Sequence, residues 1–291
     1  MKKYVFINGK YILKDEAAIA LFDSGFLFGD GLFETIRSYN GKIFLYDSHL
    51  NRLFKSLSIL RYKLPLNDSY KTYIKISLDK LIIKNKLTKV DTNIKIIISR
   101  GKYEKRLDLD SAHQPNLIIT AEEVAPYPDV FYLKGVNIIT SPIRRVPYQN
   151  FLYRHKLLNY FENIYSRNES NALNAQDSIF LTSNDYILEG STTNFFMVKN
   201  EIVATPTLDL NILPGITRET VIKLCKANKI KIKETKIKYK DAINADEIFI
   251  TNTLAEILPV KKFDNFEIIN EIPGRITKML ISFYKQKTIS K

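Results

Sequence analysis

The sequence predicts an α+β protein of two domains, and three observations carry that reading. Asn8-Gly9 and Asn40-Gly41 each lie between two short apolar runs, the strongest short-range sign of a β-hairpin because both turn positions need positive φ. Amphipathic helical stretches are scattered among many short strand-like runs, without the strict alternation of a doubly wound sheet. The stretch 123–133 holds Pro126 and Pro128 and has no periodicity, so it reads as a connection. At 291 residues the chain divides naturally into two domains of ordinary size. The expected limits are an N-terminal α+β domain at 1–122, an interdomain loop at 123–133 and a C-terminal α+β domain at 134–291.

In order along the first half, the hairpins predict strands at 4–7 and 11–13, then at 32–39 and 43–45. Asp47 and Ser48 are N-cap candidates for a helix that puts Leu50, Leu53, Phe54, Leu57 and Leu60 on one face. A second amphipathic helix is expected over 69–85, followed by strands at 94–99 and 116–120. The second half predicts a strand at 136–140, a helix at 153–167 and a series of short strands leading to Asn200. A helix at 218–228, a strand at 247–251 and a terminal helix after Pro273 complete it.

Composition excludes several classes. With 45% hydrophobic and 26% charged residues the chain reads as globular, and no apolar run approaches the roughly 20 residues that span a bilayer. Met1-Lys2-Lys3 has a basic flavour, but Asn8, Gly9 and Lys10 interrupt the apolar run behind it, so no secretory signal is expected. The cytoplasm is the expected location. A single cysteine, Cys225, precludes an internal disulfide and falls in a helical apolar pattern, so it reads as a core residue. The net charge of +13 comes from scattered lysines without a recognition motif, so neither a nucleic-acid nor a membrane partner is expected.

The chemistry-bearing pair is Lys156, in Arg154-His155-Lys156-Leu157-Leu158-Asn159-Tyr160, and Glu189, in Glu189-Gly190-Ser191-Thr192-Thr193-Asn194. An amine followed by a carboxylate is what an enzyme of pyridoxal 5'-phosphate (PLP) needs. The lysine forms a Schiff base with the cofactor aldehyde, and the acid keeps the pyridine nitrogen protonated so that the ring takes up electrons. The loop Leu213-Pro214-Gly215-Ile216-Thr217-Arg218 opens a helix whose free amides and dipole favour a phosphate, although alone it reads more readily as an ordinary helix start with Gly in the turn. Thr251-Asn252-Thr253, after a buried strand, offers further donors. Arg52 lies opposite the apolar stripe of its helix, where it is either a solvent-facing cation or a guanidinium fixed on the phosphate.

Six segments in order give these residues a family. They are Asp23-Ser24-Gly25-Phe26-Leu27-Phe28-Gly29-Asp30-Gly31-Leu32-Phe33-Glu34, His49-Leu50-Asn51-Arg52-Leu53, the Lys156 and Glu189 segments, the Pro214-to-Arg218 loop, and Thr253-Leu254-Ala255-Glu256-Ile257-Leu258-Pro259-Val260. From Tyr4 to Tyr284 the chain resembles the class IV aminotransferases, the fold-type IV PLP enzymes, which include branched-chain and D-amino-acid aminotransferases and aminodeoxychorismate lyase. The resemblance implies a D-amino-acid aminotransferase-like fold of two α+β domains with the cofactor between them, in a homodimer. It implies Lys156 as Schiff-base lysine and proton shuttle, Glu189 as partner of the pyridine nitrogen, and Arg52, Ile216 (by its backbone), Thr217 and Thr253 as phosphate ligands. Tyr160 matches a position where some members place a tyrosine near the cofactor hydroxyl.

The substrate side divides the branches. Phe33, Thr35, Arg37 and Arg100 are the candidates for substrate binding. Thr35 stands where branched-chain enzymes usually carry glycine and resembles the lyases, as does Ile97-Ile98-Ser99-Arg100-Gly101, which resembles the D-amino-acid enzymes equally. Thr251-Asn252 also leans toward the lyases. Glu189 to Asn194 and Ala255 to Val260 look more like the aminotransferases. Arg100 is either a carboxylate-binding residue or a surface cation at a strand end, and Arg144-Arg145 either face the cleft or are solvated. The resulting expectation is an aminotransferase exchanging an amino group between an amino acid and a 2-oxo acid. The alternatives are 4-amino-4-deoxychorismate lyase, which releases pyruvate and 4-aminobenzoate, and a noncatalytic PLP-binding protein.

Overall fold

A computed structural model describes residues 3–103, 108–109, 114–268 and 271–289. The chain divides into two compact units. The first runs to Ala125 and takes back His155–Tyr160 from later in the chain; the second comprises Pro126–Arg154 and the chain from Phe161 on.

The first unit contains β1 (Tyr4–Ile7), β2 (Lys10–Leu13), α1 (Ser24–Phe28), β3 (Gly31–Tyr39), β4 (Lys42–Ile43), α2 (Tyr46–Ile59), α3 (Asp68–Lys84), β5 (Thr92–Ser99) and β6 (Asn116–Glu123). Its strands form an antiparallel sheet in the order β2-β1-β6-β5-β3-β4. Both Asn-Gly turns take positive φ, at 46° and 89° for Asn8-Gly9 and 47° and 79° for Asn40-Gly41. Period-2 alternation puts Ile94, Ile96 and Ile98 of β5 with Leu32 and Ile36 of β3 against Leu50, Leu53 and Leu57 of α2 and Ile74, Leu78 and Leu81 of α3. Fully burying each such side chain contributes about 1.5–3 kcal/mol.

The start of α2 differs from expectation. Neither Asp47 nor Ser48 caps it; Leu45, at φ 52° and ψ 37°, turns the chain straight from the β4 hairpin into the helix, with no side-chain cap. The hairpin leaves no residues for an approach in which those side chains would precede the first turn. Another difference is the expected loop at 123–133. β6 reaches Glu123, and Asp129–Lys134 forms a short helix, α4.

The second unit continues with β7 (Val136–Arg145), α5 (Phe161–Ala172), β8 (Asp177–Thr182), β9 (Ile187–Gly190), β10 (Asn194–Lys199), β11 (Ile202–Pro206), α6 (Ile216–Ala227) and β12 (Ile232–Thr235). It ends with α7 (Tyr239–Ala242), β13 (Glu247–Asn252), β14 (Glu256–Phe263), β15 (Phe266–Glu267) and α8 (Arg275–Ile289). The strands form a mixed sheet in the order β12-β11-β10-β13-β14-β7-β8-β9, and β9 pairs back onto β10 through Glu189 and Asn194. That pairing closes the six strands from β10 round to β9 into a ring. Its apolar filling comes from alternate residues, among them Ile138, Ile179, Phe195, Met197, Ile248, Ile250, Leu258 and Val260.

The helix expected over 153–167 is absent as such. Phe151–Arg154 makes one 3-10 turn, residues 155–160 run extended, and α5 starts only at Phe161. The reason is backbone pairing: Phe33 N donates to Lys156 O at 2.9 Å and Leu158 N to Gly31 O at 2.9 Å, around a Leu32–Leu157 bridge. Helical periodicity in 153–167 was outweighed by a tertiary strand contact.

Candidate active site

In the first unit the site is built around Lys156. Its backbone is an extra strand on β3, and His155 Nδ1 meets Ser56 Oγ of α2 at 2.9 Å. The segment Gly29-Asp30-Gly31 makes that approach possible. A Cβ on Gly29 (φ 67°) would lie 2.8 Å from Asn159 Cα, and one on Gly31 would lie 2.3 Å from Leu158 Cδ1. Asp23 organises the turn before it, accepting from Gly25 N at 2.8 Å, Ser99 Oγ at 2.7 Å and Asn116 Nδ2 at 2.7 Å. The amine of Lys156 lies 4.5 Å from the Phe33 ring centre and 5.6 Å from that of Tyr160. Those rings meet edge to face at 5.5 Å. Phe33 and Tyr160 therefore restrict where the amine can point.

Arg52 is not the solvent-facing cation that its helix position allowed. Nε donates to Glu34 Oε1 at 2.8 Å and Nη2 to Oε2 at 2.6 Å, while His49 Nδ1 shares Oε2 at 2.8 Å. Glu34 is 1% exposed. Burial pushes its carboxyl up, but the Arg52 charge and the His49 and Arg52 hydrogen bonds outweigh that and hold it at about 2. Burial pushes His49 down, against the pull of Glu34 and with the Arg52 and Lys156 charges adding to the fall.

Phe33, Thr35 and Arg37 share one face of β3, alternating with Leu32, Glu34 and Ile36 on the other. Phe33 faces the Lys156 amine. Thr35 is half-buried opposite Lys95 of β5. Arg37 pairs with Asp91 at 2.7 Å and stacks on Tyr39, about 13 Å along the strand from Phe33. Arg100 is buried rather than a surface cation. Its Nε donates to Asp30 at 2.6 Å, Nη2 to Leu60 O at 3.0 Å and Nη1 to Arg61 O at 3.3 Å, and the guanidinium covers the Tyr62 ring. It ties the end of α2 to the Gly29-Asp30-Gly31 turn.

In the second unit three residues lie side by side across three strands. Glu189 on β9 registers with Asn194 on β10, which registers with Thr251 on β13. Two strand spacings separate the first from the last by about 10 Å. The loop before α6 seals the row. Leu213 N donates to Glu189 Oε2 at 3.0 Å, and Asn194 Nδ2 donates to Leu213 O at 3.1 Å. A Cβ on Gly215 would fall 1.9 Å from Asn194 Oδ1, so only glycine lets the loop sit this close. Gly215 then N-caps α6 with no side-chain bond, whereas the first amides of α1, α3 and α8 are met by Asp23, Asn67 and Glu247. Ile216 and Thr217 open α6, both buried. Thr251 Oγ1, on the strand position that registers with Asn194, is buried with no hydrogen-bond partner. The Asn252 side chain accepts from Leu254 N at 3.0 Å and Ala255 N at 2.7 Å, shaping the turn that carries Thr253.

Glu189 itself is framed. Asp177 Oδ1 accepts from Ser191 N at 3.0 Å and Ser178 N at 2.8 Å, and Oδ2 from Thr193 Oγ1 at 2.7 Å, which fixes the turn after Glu189. Arg145 Nη1 donates to Glu189 Oε1 at 3.1 Å. Sequence reasoning had left Arg145 open and missed Asp177 and Glu34; nothing local marks a carboxylate whose partners lie a strand or a helix away. Cys225 is fully buried in α6, where burial pushes its thiol up to about 12, as suits a core residue.

These features fit PLP. An uncapped helix start with a partnerless buried hydroxyl suits a phosphate, and a framed carboxylate suits a pyridine nitrogen. Residues 31–263 match the family described as amino-transferase class IV. The chain belongs to the class IV aminotransferases. This family is PLP-dependent. A Methanocaldococcus jannaschii protein named "Putative branched-chain-amino-acid aminotransferase" is 34% identical over 97% of this chain and 95% of its own. The aminodeoxychorismate lyase of Bacillus subtilis is 30% identical over 97% of this chain and 94% of its own. Among solved structures, the Escherichia coli branched-chain amino acid aminotransferase superposes with a TM-score of 0.90 at 27% identity, covering 98% of this chain and 94% of the other. The fold is thus that of the fold-type IV PLP aminotransferases. No helix among the described residues is long and apolar enough to cross a membrane.

Proposed function

We propose that this class IV member is a PLP-dependent aminotransferase moving an amino group between an amino acid and a 2-oxo acid. The observation that carries the reading is the row Glu189–Asn194–Thr251 leading to the uncapped start of α6. Bound PLP supplies an aldehyde for amines and a protonated ring that withdraws electrons from a substrate carbon. Lys156 is the amine that would engage the aldehyde and carry a proton to and from that carbon, with Phe33 and Tyr160 restricting its swing. Glu189 would hold the proton on the ring nitrogen. Ile216 N, Thr217, Thr253 and Arg52 would hold the phosphate, Arg52 with its plane set by Glu34. Tyr160 would serve the cofactor hydroxyl, and Phe33 and Thr35 would face the substrate. The exposed Leu21, Phe22, Phe26 and Phe28 support a homodimer, and the single buried cysteine suits the cytoplasm.

The second reading is aminodeoxychorismate lyase, favoured by Thr35 and by the B. subtilis relative. Incubation of the PLP-loaded protein with L- and D-amino acids separates the two. Release of 2-oxo acids supports the aminotransferase; release of pyruvate and 4-aminobenzoate from aminodeoxychorismate, without 2-oxo acids from the panel, replaces it with the lyase. Neither product leaves a noncatalytic binder. Borohydride should fix the cofactor to wild-type protein and not to Lys156→Ala, as mass spectrometry of peptides reads directly.

A further inference from the structure

Arg145, the last residue of β7, is 3% exposed and every nitrogen of its guanidinium is engaged. Nε donates to Glu162 Oε2 at 2.8 Å, Nη2 reaches the same carboxylate at 2.8 Å and Asn163 Oδ1 at 3.3 Å, and Nη1 donates to Glu189 Oε1 at 3.1 Å. The group is held between the Phe180 ring, 3.4 Å from its carbon, and the Tyr153 ring at 4.5 Å. Asn163 also donates from Nδ2 to Ser191 O at 2.7 Å, so α5 grips both the guanidinium and the turn behind Glu189.

Burying an arginine is costly, and one carboxylate would neutralise it. Glu162 already does so from two nitrogens. The third nitrogen is nevertheless spent on Glu189. Glu162, Arg145 and Glu189 together carry one negative charge, the charge that a protonated ring nitrogen matches.

We infer that Arg145 is a positioning residue that fixes the Glu189 carboxylate in its ionised form and aims it at the cofactor's ring nitrogen. The inference rests on the reading that Glu189 contacts that nitrogen. With the guanidinium on Oε1, a proton on Glu189 is disfavoured, so a proton shared with the ring resides on the ring. Without it the carboxylate takes the proton more readily and swings about its own χ angles.

The test uses full-length protein stripped and reloaded with PLP labelled with 15N in the ring, whose NMR shift reports ring protonation independently of turnover. Wild type should show the protonated position. Arg145→Met should move toward the unprotonated position and bind PLP about tenfold more weakly, the scale typical of partners that orient a cofactor-holding group. Arg145→Lys, which restores the charge, should stay near wild type. Should Arg145→Met fail to fold, Arg145→Gln, neutral but still a donor, takes its place with the same expected shift. A wild-type shift in the folded neutral variant overturns the inference. Glu189→Gln distinguishes the underlying reading: if its shift also stays at the wild-type position, Glu189 does not hold the ring nitrogen, whereas a moved Glu189→Gln with an unmoved Arg145 variant refutes the role of Arg145 alone.

Discussion

Arg52 and Glu34 meet at two points, Nε on Oε1 at 2.8 Å and Nη2 on Oε2 at 2.6 Å. A strand carboxylate thereby sets the plane of a helix guanidinium, and with it the direction in which the guanidinium presents its other N–H bonds. His49 adds a hydrogen bond to the same oxygen as Nη2, at 2.8 Å. The three residues hold one another in a place where none would be stable alone.

Acid should loosen this cluster first. Burial raises the Glu34 carboxyl, yet Arg52 and His49 bring it from 4.5 down to about 2. A carboxyl depressed by folding stabilises the native state above its unfolded value and loses that contribution as pH falls toward the folded one. The contribution is roughly 3 kcal/mol, lost between about pH 4.5 and 2. His49, lowered by burial, works in the same sense from about pH 6.5 downward, because the unfolded ring takes up a proton that the folded ring resists. Urea unfolding of the apoprotein at stepped pH should show this acid slope in wild type and a shallower one in Glu34→Gln. Parallel slopes would show that the cluster does not control acid stability.

Arg100 should behave as a structural cation. It holds Asp30 at 2.6 Å and the carbonyls of Leu60 and Arg61 that end α2, so its loss leaves the half-buried carboxylate to the Tyr62 hydroxyl and removes a donor from two carbonyls. Arg100→Met should lower stability by about 1–3 kcal/mol, the usual cost of removing a largely buried hydrogen-bonding partner. At a temperature where the variant is folded, its KM for amino acid should stay within about twofold of wild type, a change worth only about 0.4 kcal/mol. A large rise in KM with unchanged stability would instead assign Arg100 to the substrate carboxylate.

Much of this architecture was legible because its causes are local. Asn8-Gly9 and Asn40-Gly41 force the two hairpins whatever surrounds them, and the leucines of α2 repeat at helical spacing. Where the cause is tertiary the sequence is silent or misleading. Residues 155–160 carry helical apolar spacing, yet β3 offers them carbonyls and amides, and Gly29 and Gly31 clear the space, so they run extended. The same holds for the site. Lys156 and Glu189 announce themselves by type and motif, but the partners that frame Glu189, namely Arg145, Asp177 and Asn194, become visible only when β7, β8 and β10 close on β9.

Asp177 provides a test of that framing. It is fully buried, and its two oxygens accept from Ser178 N, Ser191 N and Thr193 Oγ1. Asp177→Ala removes the side-chain acceptor of Ser178 N and Thr193 Oγ1 in the interior, at about 1–3 kcal/mol each, while Ser191 N keeps Ser178 O at 2.9 Å. The variant should therefore lose at least about 2 kcal/mol in chemical denaturation. Thr193→Val, which removes a single bond, should lose about 1 kcal/mol. Equal losses in both would mean that Asp177 does not anchor the turn as a whole.

Gly215→Ala separates backbone entropy from steric fit. At φ −65° alanine is allowed, and replacing glycine there would ordinarily stabilise by about 0.4–1 kcal/mol through the unfolded chain. Here the new methyl would land 1.9 Å from Asn194 Oδ1 and 3.3 Å from Arg218 Cβ. Asn194 must then swing away, breaking its 3.1 Å bond to Leu213 O and releasing the loop that delivers Ile216 and Thr217. Steric displacement wins, and PLP affinity should fall by roughly tenfold, a change of about 1.4 kcal/mol, with α6 otherwise folded. Adding Asn194→Ala removes the clashing oxygen. The double variant should recover affinity relative to Gly215→Ala, a positive coupling that a double-mutant cycle measures directly. If the two losses simply add, the methyl acts somewhere other than on Asn194, and the close approach of loop to strand is not what places the helix start.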